Sequence, residues 1–191
     1  MDYLGQTGRD ALMGADIIKA APENYTSTIE YADNGIAKYL RDVARVHTAN
    51  LGTQIFYTAH GPFDTHFNQP PMHASLWTEV SGAISDFFDD LREHDAADNL
   101  IMMIFTEFGR RVRDNGTGTD HGAGGGAFII GDQVKGGMYG TYPSLKPEDL
   151  NQGDLDPSYD FRGFYSSVVD QWLGLDPVPI VGGKFEQIQF V

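Results

Sequence analysis

The spacing of apolar residues along the chain predicts four helices. In each of them apolar side chains recur every three or four positions, which places them on one face of a helix. These segments are residues 9–21, 34–50, 71–94 and 159–173. The second begins at Asn34, a residue type preferred as a helix N-cap. In the third, Asp89 and Asp90 lie mostly off the apolar stripe, so we expect them on the polar side of that helix.

Three further segments have the composition of strands. Residues 53–59 are rich in β-branched and aromatic side chains, residues 99–106 are nearly all apolar, and residues 127–130 form a short apolar run. A nearly continuous apolar strand is typical of a parallel sheet that helices cover on both faces. Because a helix separates the first two strands, they predict a right-handed β-α-β crossover. We therefore expect an α/β fold, a mainly parallel sheet flanked by helices, in a single domain over residues 1–191.

The charge and the amino-acid composition of the chain exclude several classes of function. The chain has 27 acidic and 13 basic residues and a formal net charge of −14. Nucleic-acid binding needs a basic face, so we predict no nucleic-acid partner. The longest apolar run, residues 100–105, is too short to cross a bilayer, so we predict no membrane span. Because the chain contains no cysteine, a metal must be held by histidine nitrogens and oxygen ligands.

Two polar clusters follow predicted strands. One contains Asp64 and His66, which point the same way if their segment is extended. The other contains Asp120 and His121 within a glycine-rich loop, whose glycines let a backbone approach a ligand closely. Since ligands bind at the carboxyl ends of strands in open α/β sheets, we predict that the clusters meet and form a metal site. The alternative for each pair is a solvated loop with a turn-forming aspartate.

Two further candidate site residues lie at the end of the predicted apolar strand 99–106. Glu107 either reaches the same site or forms an ion pair with Arg110 or Arg111 that braces the turn. Arg110 is suited to hold an anionic group of a substrate through its fork of N–H donors. The chain contains no nucleophile elbow, phosphate-binding loop or dinucleotide-binding motif in a suitable context. A nucleophile is therefore not assigned to this chain.

Several motifs resemble those of one known family. Residues 61–69, Gly-Pro-Phe-Asp-Thr-His-Phe-Asn-Gln, are similar to a signature Gly-Gly-Phe-Asp-Thr-His-x-Asn-Gln. Residues 105–110, Phe-Thr-Glu-Phe-Gly-Arg, resemble its Phe-Ser-Glu-Phe-Gly-Arg. Residues 115–122, 134–137 and 160–162 complete the set in the same order. The chain thus resembles domain-of-unknown-function family 1501, in the alkaline phosphatase/sulfatase-like superfamily, over the C-terminal half of such a domain.

The resemblance implies a partial alkaline phosphatase-like fold and a metal-dependent hydrolase of phosphate or sulfate esters, incomplete in this chain. The expected partner is a small anionic ester, held by Arg110, and the expected cofactor is zinc, manganese or calcium. The predicted metal ligands are Asp64, His66, Glu107, Asp120 and His121. The alternative is a non-catalytic exported binding or assembly protein with the same fold. Export of related proteins implies a periplasmic or secreted location, although residues 1–20 lack the pattern of a signal peptide.

Overall fold

A computed structural model describes residues 2–20 and 25–191. The helices are α1 (Asp2–Ala20), α2 (Gly35–Thr48), α3 (Gln69–Glu93), α4 (Phe161–Gln171) and α5 (Val178–Val181). The strands are β1 (Met102–Ile104), β2 (Gly109–Asp114), β3 (Thr119–Gly122) and β4 (Phe128–Ile130). This part of the chain is therefore mostly helical, with four short strands.

The described residues contain no parallel sheet, so the predicted α/β, alkaline phosphatase-like fold is wrong. β1 pairs with β4 in an antiparallel sheet, in which Met103 lies opposite Ile129. β2 pairs with β3 in a second antiparallel sheet. Apolar and β-branched composition shows that a segment suits a strand, but the partner is decided by contacts that are remote in sequence.

Residues 53–59 are the main reason why the observed sheets differ from the predicted parallel sheet. They belong to neither a helix nor a strand, and the side chains of Ile55 and Tyr57 are 75% and 78% exposed. Without a strand here, the predicted β-α-β crossover does not form. The apolar segment 99–106 is a strand only at Met102–Ile104, where all three residues are half-buried. A parallel strand covered by helices would be buried on both faces.

All four predicted helices are confirmed as α1 to α4. The side chain of Asn34 caps α2 and accepts a hydrogen bond from the Ala37 backbone nitrogen at 2.9 Å. α1 begins earlier than predicted, and its predicted last residue, Ala21, lies outside the described residues. No helix in the described ranges combines the length and apolarity of a membrane span. Helices are predictable because their apolar period and caps are local.

The chain divides into two compact units. The first, which we call the helical unit, consists of residues 1–64 and 70–99. The second, which we call the hairpin unit, consists of residues 65–69 and 100–191. The single domain over residues 1–191 stays a prediction.

The core of the helical unit is formed by the buried faces of α2 and α3. The spacing of the buried residues is that of one helix face, although Trp77, which the apolar pattern of α3 includes, is 38% exposed. They include Ile36, Leu40 and Ala44 on α2, and Val80, Ala83, Phe87 and Leu91 on α3. In the hairpin unit the side chain of Gln171, on α4, binds the backbone of the C-terminal segment. Its amide donates to the Ile188 carbonyl at 2.6 Å and accepts from the Phe190 nitrogen at 3.2 Å.

Asp90 on α3 is completely buried, which the helical pattern did not predict. Its carboxylate accepts hydrogen bonds from the hydroxyls of Tyr25 and Tyr31, the second at 2.7 Å. Burial, followed by these hydrogen bonds to Asp90, raises the pKa of both tyrosines, so both remain hydrogen-bond donors at neutral pH. The carboxylate also lies 3.2 Å from the Nδ1 atom of His94. Asp90 therefore ties the segment containing both tyrosines to α3.

His94 faces a carbonyl oxygen with each ring nitrogen. Nδ1 lies 2.8 Å from the Asp90 carbonyl oxygen, and Nε2 lies 3.1 Å from that of Thr26. Only the protonated ring can donate to both acceptors. The hydrogen bond to the Asp90 backbone is the main cause that raises the pKa of His94 above its ordinary value of 6.5, against the smaller opposing effect of burial. The protonated ring therefore stabilises the folded state.

We expect His94 to make the stability of the protein depend on pH. Because its pKa is raised on folding, its contribution is complete below about pH 6.5 and is lost as the pH rises through the folded-state pKa. The difference in unfolding free energy between wild type and His94→Gln should therefore fall as the pH rises. Urea denaturation at a series of pH values measures this difference, and glutamine does not titrate. A difference that grows with pH would contradict the assignment.

Candidate metal centre

The hairpin of β2 and β3 and the segment 65–69 position the candidate residues. In the hairpin Arg110 lies opposite His121, and the register shifts between Arg110 and Asp114. The Gln69 backbone nitrogen donates to the Thr117 carbonyl at 3.1 Å, which attaches the segment to the turn of the hairpin. The interpretation of this region as a glycine-rich loop is therefore wrong over β2 and β3. The hydrogen bond between Gln69 and Thr117 brings two distant parts of the sequence together.

The glycines of this region allow the backbone to pack closely against itself. A Cβ atom on Gly109 would lie 2.0 Å from the carbonyl oxygen of Gly124. A Cβ atom on Gly122 would lie 2.6 Å from the backbone of Arg110. The Arg110 nitrogen donates to the same Gly124 oxygen at 3.0 Å. At these positions, the glycine content that suggested close approach to a ligand instead serves contacts within the protein.

Three of the predicted metal ligands lie together. A carboxylate oxygen of Asp64 and one ring nitrogen each of His66 and His121 lie within 4.8 Å of one another. Asp64 directly precedes the segment 65–69, and all three side chains are exposed. Among the described residues, this group does not include Glu107 or Asp120. Glu107 is exposed and lies between β1 and β2, so its predicted role as a ligand stays a prediction.

Asp120 contacts the group through His66. Its Oδ1 atom lies 3.2 Å from Nδ1 of His66 and accepts a hydrogen bond from the Asn115 amide, also at 3.2 Å. The hydrogen bonds from Asn115 and His66 lower the pKa of Asp120, so its carboxylate is ionised at neutral pH. Sequence reasoning placed Asp120 beside His121 as a ligand. The structure instead places its carboxylate beside the ring of His66, and direct binding of a metal by Asp120 stays a prediction.

Aromatic stacking orients His121. The ring of Phe108 stacks on it with a centroid separation of 3.8 Å and an interplanar angle of 10°. The ring of His66 lies on His121 at 4.8 Å and 28°. Sequence reasoning did not single out Phe108, whose only signal is its place within the motif at 105–110. Stacked rings limit the rotation of the imidazole, so Phe108 helps to determine where the His121 nitrogens lie.

Arg110 braces the hairpin. Its guanidinium donates to the Thr119 carbonyl oxygen at 2.6 Å and to the Thr65 hydroxyl at 3.4 Å. It also lies over the ring of Phe108, 5.2 Å from the centroid. These contacts join the segment 65–69 to β3 and stabilise the arrangement of the two histidines. The predicted contact of Arg110 with a substrate anion stays a prediction.

A protein-family model described as "Protein of unknown function (DUF1501)" matches residues 21–175. The match covers most of the chain and includes both motifs that supply the three clustered side chains. The chain belongs to the DUF1501 family. This confirms the family resemblance of its motifs. No curated protein and no solved structure matches the chain. The DUF1501 description names no reaction.

The donor set of this DUF1501 protein fits a divalent transition metal. One carboxylate and two imidazoles suit zinc, manganese or iron, whereas calcium prefers oxygen ligands alone. Ligand atoms of a tetrahedral zinc site, at about 2.0–2.1 Å from the metal, lie about 3.3 Å apart. The three ligand atoms must therefore move closer together when a metal binds, and all three side chains are exposed. Asp64, His66 and His121 would supply three ligands to such a metal, the number that proteins supply in catalytic zinc sites.

Proposed function

We propose that this DUF1501 chain binds a divalent transition metal through Asp64, His66 and His121, and that the site serves hydrolysis of a phosphate or sulfate ester. The observation that carries the proposal is the convergence of these three side chains within 4.8 Å. They come from two motifs that are far apart in sequence. Zinc or manganese is favoured over calcium because two of the three donors are nitrogens.

A divalent metal supplies Lewis acidity toward an ester oxygen and makes bound water acidic. The residues of the chain would hold and orient it. Asp64 provides negative charge, and the two imidazoles provide nitrogen ligands. Phe108 limits rotation of the His121 ring by stacking. Exposure of all three donors leaves the site accessible to a small anionic ester from solution.

A second candidate function is metal binding without catalysis, as in an exported binding or assembly protein. The contacts of Arg110 favour this candidate. Its guanidinium donates to Thr119 and Thr65 within the protein, and an ester anion would have to share these donors. The two candidates have the same metal site and differ only in whether a bound ester is hydrolysed.

We expect loss of one ligand to weaken metal binding strongly. Substitution of a residue that merely supports a ligand typically lowers metal affinity 10–100-fold, so His66→Ala and His121→Ala should each lower it by more than about 100-fold. Isothermal titration of the purified chain with zinc and with manganese measures this. Asp64→Asn should also weaken binding. Asp156→Asn, an exposed site in the hairpin unit, makes the same charge change and should have little effect.

The outcomes separate the two candidates. Unchanged affinity in both histidine variants would overturn the proposed metal site. Metal binding that depends on these histidines, together with metal-dependent hydrolysis of nitrophenyl phosphate or nitrophenyl sulfate, would support the hydrolase. The same binding without hydrolysis of either ester would favour the non-catalytic protein.

A further inference from the structure

We infer that Asp120 is a positioning residue for His66. Its carboxylate holds the His66 imidazole in the tautomer with hydrogen on Nδ1, and this tautomer presents Nε2 to a metal. The inference rests on the proposed metal site. It goes beyond that site because it gives Asp120 a role through another residue and specifies the ligand atom of His66.

A hydrogen bond joins the side chains of Asp120 and His66. The Oδ1 atom of Asp120 and the Nδ1 atom of His66 are 3.2 Å apart. If the carboxylate oxygen accepts this hydrogen bond, the hydrogen is on Nδ1. The lone pair of a neutral imidazole is then on Nε2, and this is the nitrogen that can bind a metal. Carboxylates that accept from the other nitrogen of a metal-binding histidine are a general feature of metal sites.

Asn115 determines where the carboxylate of Asp120 lies. The Asn115 amide nitrogen donates to Oδ1 of Asp120 and to the carbonyl oxygen of His66, both at 3.2 Å. Its own oxygen accepts from the backbone nitrogens of Thr117 at 3.1 Å and Gly118 at 2.8 Å. These two backbone donors fix which end of the amide is oxygen, so the NH₂ group must face Asp120 and His66.

The turn between β2 and β3, which contains Asn115, also holds the backbone of His66. The Thr117 hydroxyl donates to the His66 carbonyl oxygen at 3.3 Å, beside the donor from Asn115. The turn between β2 and β3 therefore contacts His66 at its main chain and, through Asp120, at its ring. This double attachment orients an otherwise exposed imidazole, and it would reduce the entropy lost when a metal binds.

The test is the tautomer of His66 in the metal-free protein, observed by ¹⁵N NMR of the imidazole nitrogens at about pH 8, where an ordinary histidine is neutral. We expect wild type to carry hydrogen on Nδ1. Asp120→Ala should shift the ring toward the tautomer with hydrogen on Nε2. Asp120→Asn retains an acceptor oxygen and should restore the wild-type tautomer at least in part. Zinc affinity should fall 10–100-fold in the alanine variant and recover in the asparagine variant.

A variant of Asn115 provides a second test of the positioning role and leaves the carboxylate of Asp120 in place. Asn115→Asp keeps the oxygen that accepts from the turn but replaces the NH₂ donor with an acceptor facing Asp120. We expect this change to weaken the hold on His66 and to shift its tautomer in the same direction. Amide and methyl NMR spectra of each variant, compared with wild type, would show that the fold is intact.

Failure of this inference can be told apart from failure of the proposed function. A His66 tautomer that Asp120→Ala leaves unchanged would overturn the positioning role, whatever the metal affinity. Zinc affinity that falls in Asp120→Ala without a tautomer change would identify Asp120 as a direct ligand instead. If wild type binds neither zinc nor manganese, the proposed function fails, and the metal-free spectrum still decides whether Asp120 sets the tautomer.

Discussion

Gly109→Ala is expected to lower the unfolding free energy by about 3 kcal/mol, the upper part of the usual range for overpacking. The added methyl group would lie 2.0 Å from the carbonyl oxygen of Gly124 and 2.3 Å from its carbonyl carbon. These are backbone atoms, so no side-chain rotation can relieve the overlap. β2 would have to move away from the segment that contains Gly124, and the hydrogen bond from the Arg110 nitrogen to the Gly124 oxygen would be lost. Urea denaturation of wild type and variant measures the effect.

Gly126→Ala is the matched control for this prediction. It makes the same chemical change in the same stretch of chain, and a Cβ atom there meets nothing within 4 Å. We expect its stability to stay within about 0.5 kcal/mol of wild type, as for most surface substitutions. Gly109→Ala should also lower zinc affinity because it moves the strand that pairs with His121. Equal stability of the two variants would contradict the close packing of the hairpin.

Asp90→Ala is expected to lower the unfolding free energy by about 3–5 kcal/mol, because it removes two hydrogen bonds to a buried carboxylate, each of which contributes about 1.5–3 kcal/mol. Asp90 is fully buried and accepts hydrogen bonds from Tyr25 and Tyr31. Its loss leaves both hydroxyls without this acceptor and opens a space beside them. Each hydroxyl left unsatisfied costs about 1–3 kcal/mol in its own right. Thermal and urea unfolding of the purified variant would measure the loss.

Asp89→Ala is the control for the buried carboxylate. Asp89 is the adjacent residue on α3, and its carboxylate lies 2.9 Å from Arg92 in an ion pair whose side chains are about half exposed. Exposed pairs of this spacing contribute about 0.3–0.5 kcal/mol, so the substitution should be nearly neutral. Tyr25→Phe and Tyr31→Phe would apportion the effect between the two hydroxyls. Similar losses in Asp89→Ala and Asp90→Ala would refute the specific role of the buried network.

Local sequence patterns identified two residues of the candidate site correctly but did not identify the contact that Asp120 makes. Polar residues that follow strand-like segments indicate His66 and His121, and the structure places their ring nitrogens together. Asp120 was expected to act with His121, its neighbour in sequence. In β3 the carboxylate of Asp120 instead lies beside the ring of His66, and the ring of His121 stacks on that same His66 ring. Its partner therefore comes from a segment that is remote in sequence.

The helices were predictable because their signals lie within a few residues of one another. The apolar period of α2 and α3 specified their buried faces, and Asn34 marked a helix start through a side chain that caps it three residues later. Asp90 was the exception on α3. A helical pattern indicates which side of the helix is polar, but not that two tyrosine hydroxyls from another segment cover that side.

Strand pairing depended on the tertiary structure. The apolar run 99–106 favours burial in a sheet, but nothing in the run specifies a partner, and β1 pairs antiparallel with β4. Residues 53–59 have the composition of a strand and pair with no strand in the described part of the chain. A strand is stable only with hydrogen-bonded neighbours, so its formation depends on residues far along the chain. A helix completes its hydrogen bonds within its own segment, and this difference explains why the helices were predicted correctly and the sheet was not.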